Sequence, residues 1–320
     1  MTEWRVHVTR PIPRGGLEVL RQAGIQPTVP EQEPSPLRGE LLKAVEACQG
    51  ILSLLTERMD AELMERAPGL QVISNMAVGY DNVDVPEATR RGILVCNTPG
   101  VLTETCADFT WALLLSAARR VVEGDRMVRA GRFRGWGPLM LLGCEVHGST
   151  LGVVGFGRIG RAVARRAAGF GMKVLFHSPS FAGGDTEGGR PVGLDELLGE
   201  SDYVSLHTPL GSATRHLIGA EELRRMKPTA ILINTSRGPV VDEEALVQAL
   251  RDQEIAGAAL DVYEREPEIA KGLADLPNVV LAPHLASASV ATRDRMARMA
   301  AANLVQALRG EIPDHCVNPR

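Results

Sequence analysis

The sequence lacks the features that would place the protein in a membrane or on nucleic acid. None of its apolar runs approaches the ~20 residues that span a bilayer. The first residues, Met1 to Val8, are too polar for a signal peptide. A formal net charge of -4 gives no electrostatic reason to expect nucleic acid or an anionic membrane as a partner. We therefore expect neither partner.

Cysteine is scarce and follows no recognisable pattern. The five cysteines are scattered, odd in number and without a CxxC motif; they are Cys48, Cys96, Cys106, Cys144 and Cys316. Neither a disulfide framework nor a zinc site is indicated, and we expect no metal. Scattered thiols fit a reducing compartment, so a cytoplasmic location is expected.

The length and the hydrophobic pattern predict the fold class. The 320 residues suffice for two domains, and the 44% hydrophobic and 23% charged content is that of a globular protein. Short apolar runs alternate with amphipathic segments, which predicts parallel strands joined by crossover helices. We predict an α/β protein of two doubly wound parallel-sheet domains, a Rossmann-type cofactor domain inserted into a flavodoxin-like substrate domain.

The predicted substrate domain is discontinuous, with residues 1–99 and 286–320, and the cofactor domain spans 100–285. A proline-rich loop is expected from Pro27 to Pro36, and a long exposed helix from Thr103 to about Ala130 is expected to connect the domains. We expect the final helix, Ser289 to Arg309, to return to the first domain; the alternative is that it closes the second. The other predicted elements are strands at 5–8, 50–55, 70–76, 93–97, 203–207, 230–235, 255–263 and 279–281, and helices at 16–23, 37–48, 60–66, 86–91, 220–226 and 242–252.

A glycine-rich turn lies in the stretch from Thr150 to Ser178, which predicts a strand, a turn, a helix and a second strand. Its GxGxxG glycines are at positions 155, 157 and 160. They permit the tight turn, the approach of a pyrophosphate and the packing of helix on strand, and the helix start offers N–H groups to phosphates. An ordinary glycine turn is the alternative. The predicted cofactor residues here are Gly155, Phe156, Gly157, Arg158 and Ile159.

The residues after the second strand bear on the choice of cofactor. An NAD site usually has Asp or Glu about 20 residues beyond the glycines. Here Ser178, Pro179 and Ser180 follow the strand, and no carboxylate precedes Asp185. The two serine hydroxyls could donate to a 2′-phosphate that no carboxylate repels, so NADP(H) is favoured. NAD(H) is the alternative because no arginine adjoins the serines, although Arg190 could fold back.

Three residues of complementary chemistry follow predicted strands of the second domain: Arg237, Glu266 and His284. Because ligands bind beyond the carboxyl ends of parallel strands, we expect the three side chains at one edge of the sheet, near the glycine turn. Residues at strand ends that are expected to line the cofactor are His207, Thr208, Pro209 and Thr235.

These residue types suit the reduction of a 2-oxo acid. The guanidinium of Arg237 would grip the carboxylate and polarise the ketone. His284 would give a proton to the carbonyl oxygen as hydride reaches the carbon, and the charge of Glu266 would keep the imidazole protonated. Taken singly, Arg237 could instead pair with Asp242 at a helix start, and Glu266 could be a surface charge.

The matching edge of the first domain follows the strand at 70–76. The backbone N–H groups of Val78 and Gly79 could bind a substrate carboxylate there, because glycine permits close approach. The alternative is an ordinary turn between strand and helix.

Six segments, in order along the chain, carry a resemblance to a known family: Asn75–Asp84, Asn97–Asp108, Gly155–Gly160, Asn234–Gly238, Leu260–Pro267 and Pro283–Ser289. The chain resembles D-2-hydroxyacid dehydrogenases, and among them it is most similar to glyoxylate/hydroxypyruvate reductases. The resemblance implies that Arg237 binds substrate in catalysis, that His284 is the acid/base and that Glu266 is its partner.

The resemblance also implies further contacts and a homodimer. Asp261 would meet the nicotinamide carboxamide, Thr103 would lie near the cofactor, and Val78 and Gly79 would take the substrate carboxylate. Additional substrate-binding residues would be Leu54, Ser287 and Trp136. Trp136 would come from the neighbouring subunit, and the segment 103–142 would form the homodimer.

The sequence therefore predicts an NAD(P)H-dependent reductase of glyoxylate and hydroxypyruvate that gives D-2-hydroxy acids. Another D-2-hydroxyacid dehydrogenase, of the phosphoglycerate or lactate type, is one alternative. A non-catalytic, dinucleotide-sensing protein similar to corepressors of this fold is the other.

Overall fold

A computed structural model describes residues 4–31 and 36–319. Residues 1–3 and 320 lie outside the described residues, as do residues 32–35 of the predicted proline-rich loop. The chain divides into two compact units. The first comprises Met1–Leu102 with Ala288–Arg320, and the second comprises Thr103–Ser287.

Strands and helices alternate through most of the chain. The strands are β1 (Val6–Val8), β2 (Gly50–Ser53), β3 (Val72–Asn75), β4 (Leu94–Cys96), β5 (Thr150–Val154), β6 (Lys173–His177), β7 (Arg190–Pro191), β8 (Tyr203–Leu206), β9 (Ile231–Asn234), β10 (Gly257–Leu260) and β11 (Val279–Leu281). The α-helices are α1 (Arg14–Gln22), α2 (Arg38–Val45), α3 (Ala61–Arg66), α4 (Val85–Arg90), α5 (Thr103–Ala118), α6 (Val121–Arg129), α7 (Arg158–Ala167), α8 (Leu194–Glu200), α9 (Ala220–Arg225), α10 (Glu243–Arg251) and α11 (Val290–Leu308). Two short 3-10 helices cover Ala168–Phe170 and Gly238–Val240.

The first unit is built on a parallel sheet in the order β1-β2-β3-β4. Every residue of these strands is buried, as expected when helices cover both faces. The final helix α11 packs on α1 and on the sheet. Two polar contacts fix it there: Ser74 Oγ donates to the carbonyl of Ala300 at 2.7 Å, and Asn303 Nδ2 donates to that of Asn97 at 3.0 Å. The final helix is therefore part of the first unit.

The second unit is built on a seven-stranded parallel sheet in the order β11-β10-β9-β8-β5-β6-β7. Successive strand residues face opposite cores: Ile231 and Ile233 pack with α5 and α7, whereas Leu232 packs with α8, α9 and α10. The strand order reverses at β5, which pairs with β6 on one side and β8 on the other. A reversal of this kind opens a crevice beyond the carboxyl ends of the strands, and the glycine turn directly follows β5.

The prediction of one long exposed helix from Thr103 to Ala130 is wrong. Arg120 adopts a left-handed backbone, with φ 54°, and this residue separates α5 from α6. Helix α5 is not an exposed connector, because Trp111 is only 5% exposed and its Nε1 donates to the carbonyl of Val163 at 3.1 Å. It contributes to the core of the second unit.

Two details at the rim of the second sheet also differ from the prediction. The strand expected over 255–263 is limited to β10, because its partners β9 and β11 end opposite its last residue, Leu260. Helix α8 and the short strand β7 were missed, since each is too brief to show a clear hydrophobic period.

The described residues include no helix that is both long and apolar enough to cross a membrane. They also include no group of three or more His, Cys, Asp or Glu side chains placed to hold a metal ion.

Candidate active site

The glycine turn has the geometry that its sequence predicts. Gly155 has φ 91°, and a Cβ there would lie 2.7 Å from the backbone of His207. Both the backbone angle and the lack of space therefore exclude a side chain. A Cβ on Gly160 would lie 2.1 Å from the carbonyl oxygen of Gly155, which explains how closely α7 approaches the turn. Helix α7 begins at Arg158, so its free N–H groups lie at the carboxyl end of β5.

The turn also leaves room for a ligand. A Cβ on Gly157 would meet no atom within 4 Å, so the backbone at this position is open. The Phe156 ring points the other way, being 5% exposed and stacked on Phe176 with ring centroids 3.8 Å apart. Phe181 packs edge-on against the same two rings. Only the backbone of Phe156 is thus available to a cofactor, and the open backbone fits a pyrophosphate.

A pair of hydroxyls follows β6. Ser178 Oγ and Ser180 Oγ lie 3.4 Å apart, Ser178 being half-buried and Ser180 exposed beside the exposed Pro179. Arg190 does not fold back toward them. It donates to Glu196 at 2.6 Å and to Glu200 at 3.3 Å, so its charge is already paired with α8.

Residues after β8 add a polar group beside the turn. The Thr208 Oγ1 atom is buried and has no hydrogen-bond partner within the described chain, which is the state expected of a hydroxyl that serves a ligand. Its neighbour His207 contacts Ser205 Oγ through Nε2 at 2.8 Å. Burial lowers the pKa of His207 to about 3, so this ring is neutral at pH 7 and cannot serve as an acid.

The other predicted ligand-binding residues of the second unit differ in burial and in hydrogen bonding. Thr235 Oγ1 lies 2.9 Å from Thr110 Oγ1 of α5, so its hydroxyl already has a partner inside the unit. Thr103 is the first residue of α5 and is half-buried, as is Ser287, whereas Pro209 is exposed.

The predicted acid/base pair is formed. His284 Nδ1 lies 2.9 Å from Glu266 Oε2, and the N–H of Tyr263 donates to Glu266 Oε1 at 3.0 Å. The two side chains are 23% and 27% exposed, so the pair is partly shielded from water. Burial raises the pKa of Glu266, but His284, the N–H of Tyr263 and the charge of Arg237 outweigh it, so the pKa lies below its usual range. Glu266 is therefore ionised. Because it occupies Nδ1 of His284, Nε2 is the ring nitrogen that it leaves unbound.

Arg237 follows β9 in an extended backbone conformation, with φ -140°, just before the 3-10 helix at Gly238–Val240. Its side chain is half-buried, and Nη1 donates to the carbonyl of Ser236 at 2.9 Å. Arg237 follows β9, which pairs with β10, so it lies at the same edge of the sheet as the histidine pair, and its charge lowers the pKa of Glu266. The structure thus brings together the three residues that the sequence predicts.

The loop that carries His284 is held by Asp261, at the end of β10. The carbonyl of Asp261 accepts the N–H of His284 at 2.9 Å, while Oδ1 and Oδ2 accept the N–H groups of Leu285 and Ala286 at 2.6 and 2.8 Å. Burial raises the pKa of Asp261, and the two N–H donors oppose that rise. Asp261 is 0% exposed, and its carboxylate orients the loop that carries His284.

The predicted substrate loop of the first unit is held by asparagines. Asn97 Nδ2 donates to the carbonyl of Val78 at 2.8 Å, and Asn75 Nδ2 donates to that of Gly79 at 2.9 Å. The carbonyl of Val78 and the N–H of Gly79 belong to one trans peptide and point in opposite directions. The bond from Asn97 to this carbonyl therefore directs the Gly79 N–H away from Asn97. The backbone of the loop is therefore fixed at these two residues.

A residue that the sequence analysis missed holds the loop of Leu54. Glu57 is 4% exposed, and its Oε2 accepts the N–H of Leu54 at 2.9 Å and the hydroxyl of Thr9 at 2.8 Å. Its Oε1 accepts the hydroxyl of Thr56 at 2.7 Å and pairs with Arg10 Nε at 3.1 Å. Its place just beyond β2 could have identified Glu57 by the same rule that selected the other site residues.

The segment after α5 is unusually apolar at its surface. Helix α6 buries none of its residues. The exposed large apolar side chains between residues 121 and 142, which we name the 121–142 patch, are Val121, Val128, Phe133, Trp136, Leu139, Met140 and Leu142. Trp136 is 83% exposed. Such a concentration of apolar surface is typical of an interaction site.

We predict that Glu57→Gln lowers the free energy of unfolding by about 2 kcal/mol, because it removes a buried charge from Arg10 and turns an acceptor into a donor. Urea unfolding at pH 7 measures the change. The matched control is Glu65→Gln on the exposed side of α3, which should stay within about 0.5 kcal/mol of the unaltered protein. Equal effects of the two substitutions would show that Glu57 does not hold the loop.

Known proteins resemble the chain in both sequence and structure. Residues 111–286 match the family model described as D-isomer specific 2-hydroxyacid dehydrogenase, NAD binding domain. The chain is 55% identical over 319 residues to a glyoxylate reductase from Korarchaeum cryptofilum, with 98% of this chain and 96% of that protein covered.

Solved structures give the same relationship. The TT0316 protein from Thermus thermophilus has a TM-score of 0.91 and 48% identity, covering 98% of this chain and 99% of its own. An NADPH-dependent glyoxylate/hydroxypyruvate reductase from Sinorhizobium meliloti, in complex with NADP and malonate, has a TM-score of 0.87 and 34% identity, covering 99% and 97%. With two parallel-sheet α/β units and these matches, the chain belongs to the family of D-isomer specific 2-hydroxyacid dehydrogenases.

Proposed function

We propose that the protein reduces glyoxylate and hydroxypyruvate to D-2-hydroxy acids with NAD(P)H. The observation that carries this proposal is the pair of His284 Nδ1 and Glu266 Oε2 at 2.9 Å, with the charge of Arg237 beside it. Relatives named glyoxylate reductase, at about half identity over nearly the whole chain, support the choice of substrate.

Each residue of the trio has one task in the proposed reaction. Arg237 binds the substrate carboxylate and polarises the ketone, because a planar guanidinium matches both oxygens. His284 donates the proton from Nε2 to the carbonyl oxygen, and Glu266 at Nδ1 stabilises the imidazolium before the transfer. The nicotinamide, when bound, supplies the hydride. In the oxidative direction neutral His284 takes the proton back.

We assign further substrate contacts to residues that the family resemblance indicates. The N–H groups of Val78 and Gly79 bind the carboxylate, and the bond from Asn97 to the carbonyl of Val78, which fixes the peptide plane of the Gly79 N–H, supports this assignment. Leu54 and Ser287 shape the pocket. The discontinuous substrate domain at 1–99 and 286–320 and the cofactor domain at 100–285 keep the roles given by the sequence.

We assign the dinucleotide to the glycine turn. Gly155, Gly157, Arg158 and Ile159 meet the pyrophosphate, and the partnerless hydroxyl of Thr208 supports a ligand beside them. We favour NADP(H) because two serine hydroxyls follow β6 and no carboxylate occurs in the sequence between β6 and Asp185, with NAD(H) as the alternative cofactor. Contacts from Phe156, through its backbone, and from Thr103, Pro179, Pro209, Thr235 and Asp261 remain part of the proposal.

We also propose a cytoplasmic homodimer that forms through the segment 103–142. The 121–142 patch supports this, because large apolar side chains at 81–83% exposure, such as Leu139 and Trp136, gain most from burial. Trp136 would then reach the substrate pocket of the partner. The five free cysteines support a reducing location.

The first prediction concerns the proton donor. The purified protein should oxidise NADPH or NADH when glyoxylate or hydroxypyruvate is added, and His284→Ala should lower kcat by about 100-fold or more. The control is His216→Ala, which removes another His–Glu pair, 2.8 Å long, from the same unit and should keep near-normal turnover. Steady-state absorbance of the reduced cofactor measures both. Turnover confined to phosphoglycerate- or lactate-type substrates would contradict the assignment of glyoxylate and hydroxypyruvate as substrates. Cofactor binding without any turnover would favour a sensing protein.

The second prediction concerns the open backbone of the turn. Gly157→Ala should fold normally, since its Cβ meets nothing within 4 Å, yet bind NADPH about tenfold more weakly because the methyl group occupies the approach to the phosphates. Gly169→Ala is the control, because a Cβ at this position also meets nothing. Calorimetric titration with NADPH and NADH measures both affinities and the cofactor preference. Unchanged binding by Gly157→Ala would remove the turn from the cofactor site.

The third prediction concerns the dimer. Leu139→Asp should raise the dimer dissociation constant by about tenfold or more, because association would bury an unpaired charge. Ile312→Asp, at a position 53% exposed in the first unit, should leave the dimer intact. Sedimentation velocity over a concentration series measures both. Trp136→Ala should raise KM for glyoxylate, whereas a monomeric unaltered protein would refute the interface.

A further inference from the structure

The chain's last described residues cover the open edge of the first sheet. Val317 donates its N–H to the carbonyl of Val95 at 2.8 Å, and Asn97 donates its N–H to that of His315 at 3.2 Å. Asn318 extends the contact, since Oδ1 accepts the N–H of Val95 at 2.8 Å. Residues 315–318 therefore run antiparallel to β4, the edge strand, and satisfy backbone groups that would otherwise be exposed.

Cys96 and Cys316 lie directly opposite each other in this pairing. The flanking hydrogen bonds, from Val317 to Val95 and from Asn97 to His315, make the cysteines a non-hydrogen-bonded pair. Such a pair places its Cα atoms about 4.5 Å apart with both side chains on one face, and a disulfide accepts Cα separations of about 4.4–6.8 Å. The Cys316 thiol is close enough to Cys96 to raise the pKa of the Cys96 thiol.

We propose that Cys96 and Cys316 form a reversible disulfide that fastens residues 315–318 to β4 when the protein meets a peroxide. The proposal does not depend on the proposed reductase activity. Cysteines separated so widely along the chain form no sequence pattern that would predict this bond.

The two thiols differ in their access to an oxidant. Cys316 is partly exposed, and its Sγ donates to Asn318 Oδ1 at 3.5 Å. Cys96 is 0% exposed, and burial, followed by the neighbouring Cys316, raises the pKa of its thiol well above the usual range. Cys316 is thus the residue that meets the peroxide, and Cys96 is the residue that resolves the product.

The chemistry balances in two steps. The Cys316 sulfur attacks one oxygen of the peroxide, the O–O bond breaks, and hydrogen peroxide yields the sulfenic acid and one water. The Cys96 sulfur then attacks the Cys316 sulfur, a S–S bond forms, the S–O bond breaks, and a second water leaves with the thiol proton. Two thiols lose two electrons and the peroxide is reduced to two waters. A dithiol reductant reverses the bond by exchange.

The disulfide would affect the stability of the protein and the hydrogen bond that holds the loop at Val78. It joins residues 220 positions apart in sequence, so it restricts the unfolded chain strongly. It also lies next to Asn97, whose side chain holds the carbonyl of Val78. We therefore expect the oxidised protein to melt several degrees higher than the reduced protein.

The test uses the full-length protein, reduced, freed of reductant and treated with a few equivalents of hydrogen peroxide. Thiols counted in denaturant should fall by two from the initial five. A non-reducing peptide map should contain one crosslinked pair, holding Cys96 and Cys316, and dithiothreitol should remove it. The melting temperature should rise with oxidation and return with reduction.

Two variants at partly exposed cysteines sharpen the result. Cys316→Ser should lose no thiol pair and should show no rise in melting temperature, whereas Cys144→Ser should behave as the unaltered protein does. A bond between other cysteines, sulfinic acid at Cys316 without a crosslink, or the same thiol loss in Cys316→Ser would overturn the proposal. The peptide map of the unaltered protein decides the matter even if a variant folds poorly.

Discussion

The candidate active site depends on one buried carboxylate. Asp261 binds three successive N–H groups, those of His284, Leu285 and Ala286, through its carbonyl and its two carboxylate oxygens. His284 has a left-handed backbone, with φ 56°, which is costly for a residue that has a side chain. The three bonds hold the loop in that conformation. The ring of His284 is therefore placed by its backbone first and by Glu266 second.

The first unit uses the same device at its own sheet. Where a parallel strand ends, the backbone groups of the next loop lose their ladder partners and must find others. Asn75 and Asn97 bind carbonyl oxygens of the loop after β3, and Glu57 binds an N–H of the loop after β2. Buried polar side chains at strand ends thus make rigid loops on both sheets, and rigid loops are what a binding site requires.

The sequence predicts the parts of the structure that follow from local rules. The glycine turn could be predicted because position 155 combines a positive φ with a lack of space for a Cβ, and only glycine satisfies both conditions. The trio of Arg237, Glu266 and His284 could be predicted because parallel strands deliver their carboxyl ends to one edge. Both conclusions need only the order of strands and the residue types that follow them.

Other features depend on contacts that are distant in sequence. The break between α5 and α6 occurs at Arg120, an ordinary helix former that takes a left-handed backbone while its guanidinium binds Glu123 and the carbonyl of Leu142. The burial of Trp111 against Val163 decides that α5 belongs to the second core. The hold of Asp261 on the His284 loop also depends on distant contacts, because its partners Leu285 and Ala286 are 24 and 25 positions away in sequence.

The three phenylalanines that pack together at the glycine turn have a consequence for cofactor choice. Phe156 belongs to the turn, while Phe176 lies on β6 and Phe181 just beyond it. Because these rings pack on one another, they tie the turn to the end of β6 and so restrain the distance from the turn to Ser178. Redesign of the enzyme for a cofactor with a different distance between its pyrophosphate and its ribose substituent would have to alter these aromatic contacts. New polar groups at Ser178 alone would change only which atoms are recognised.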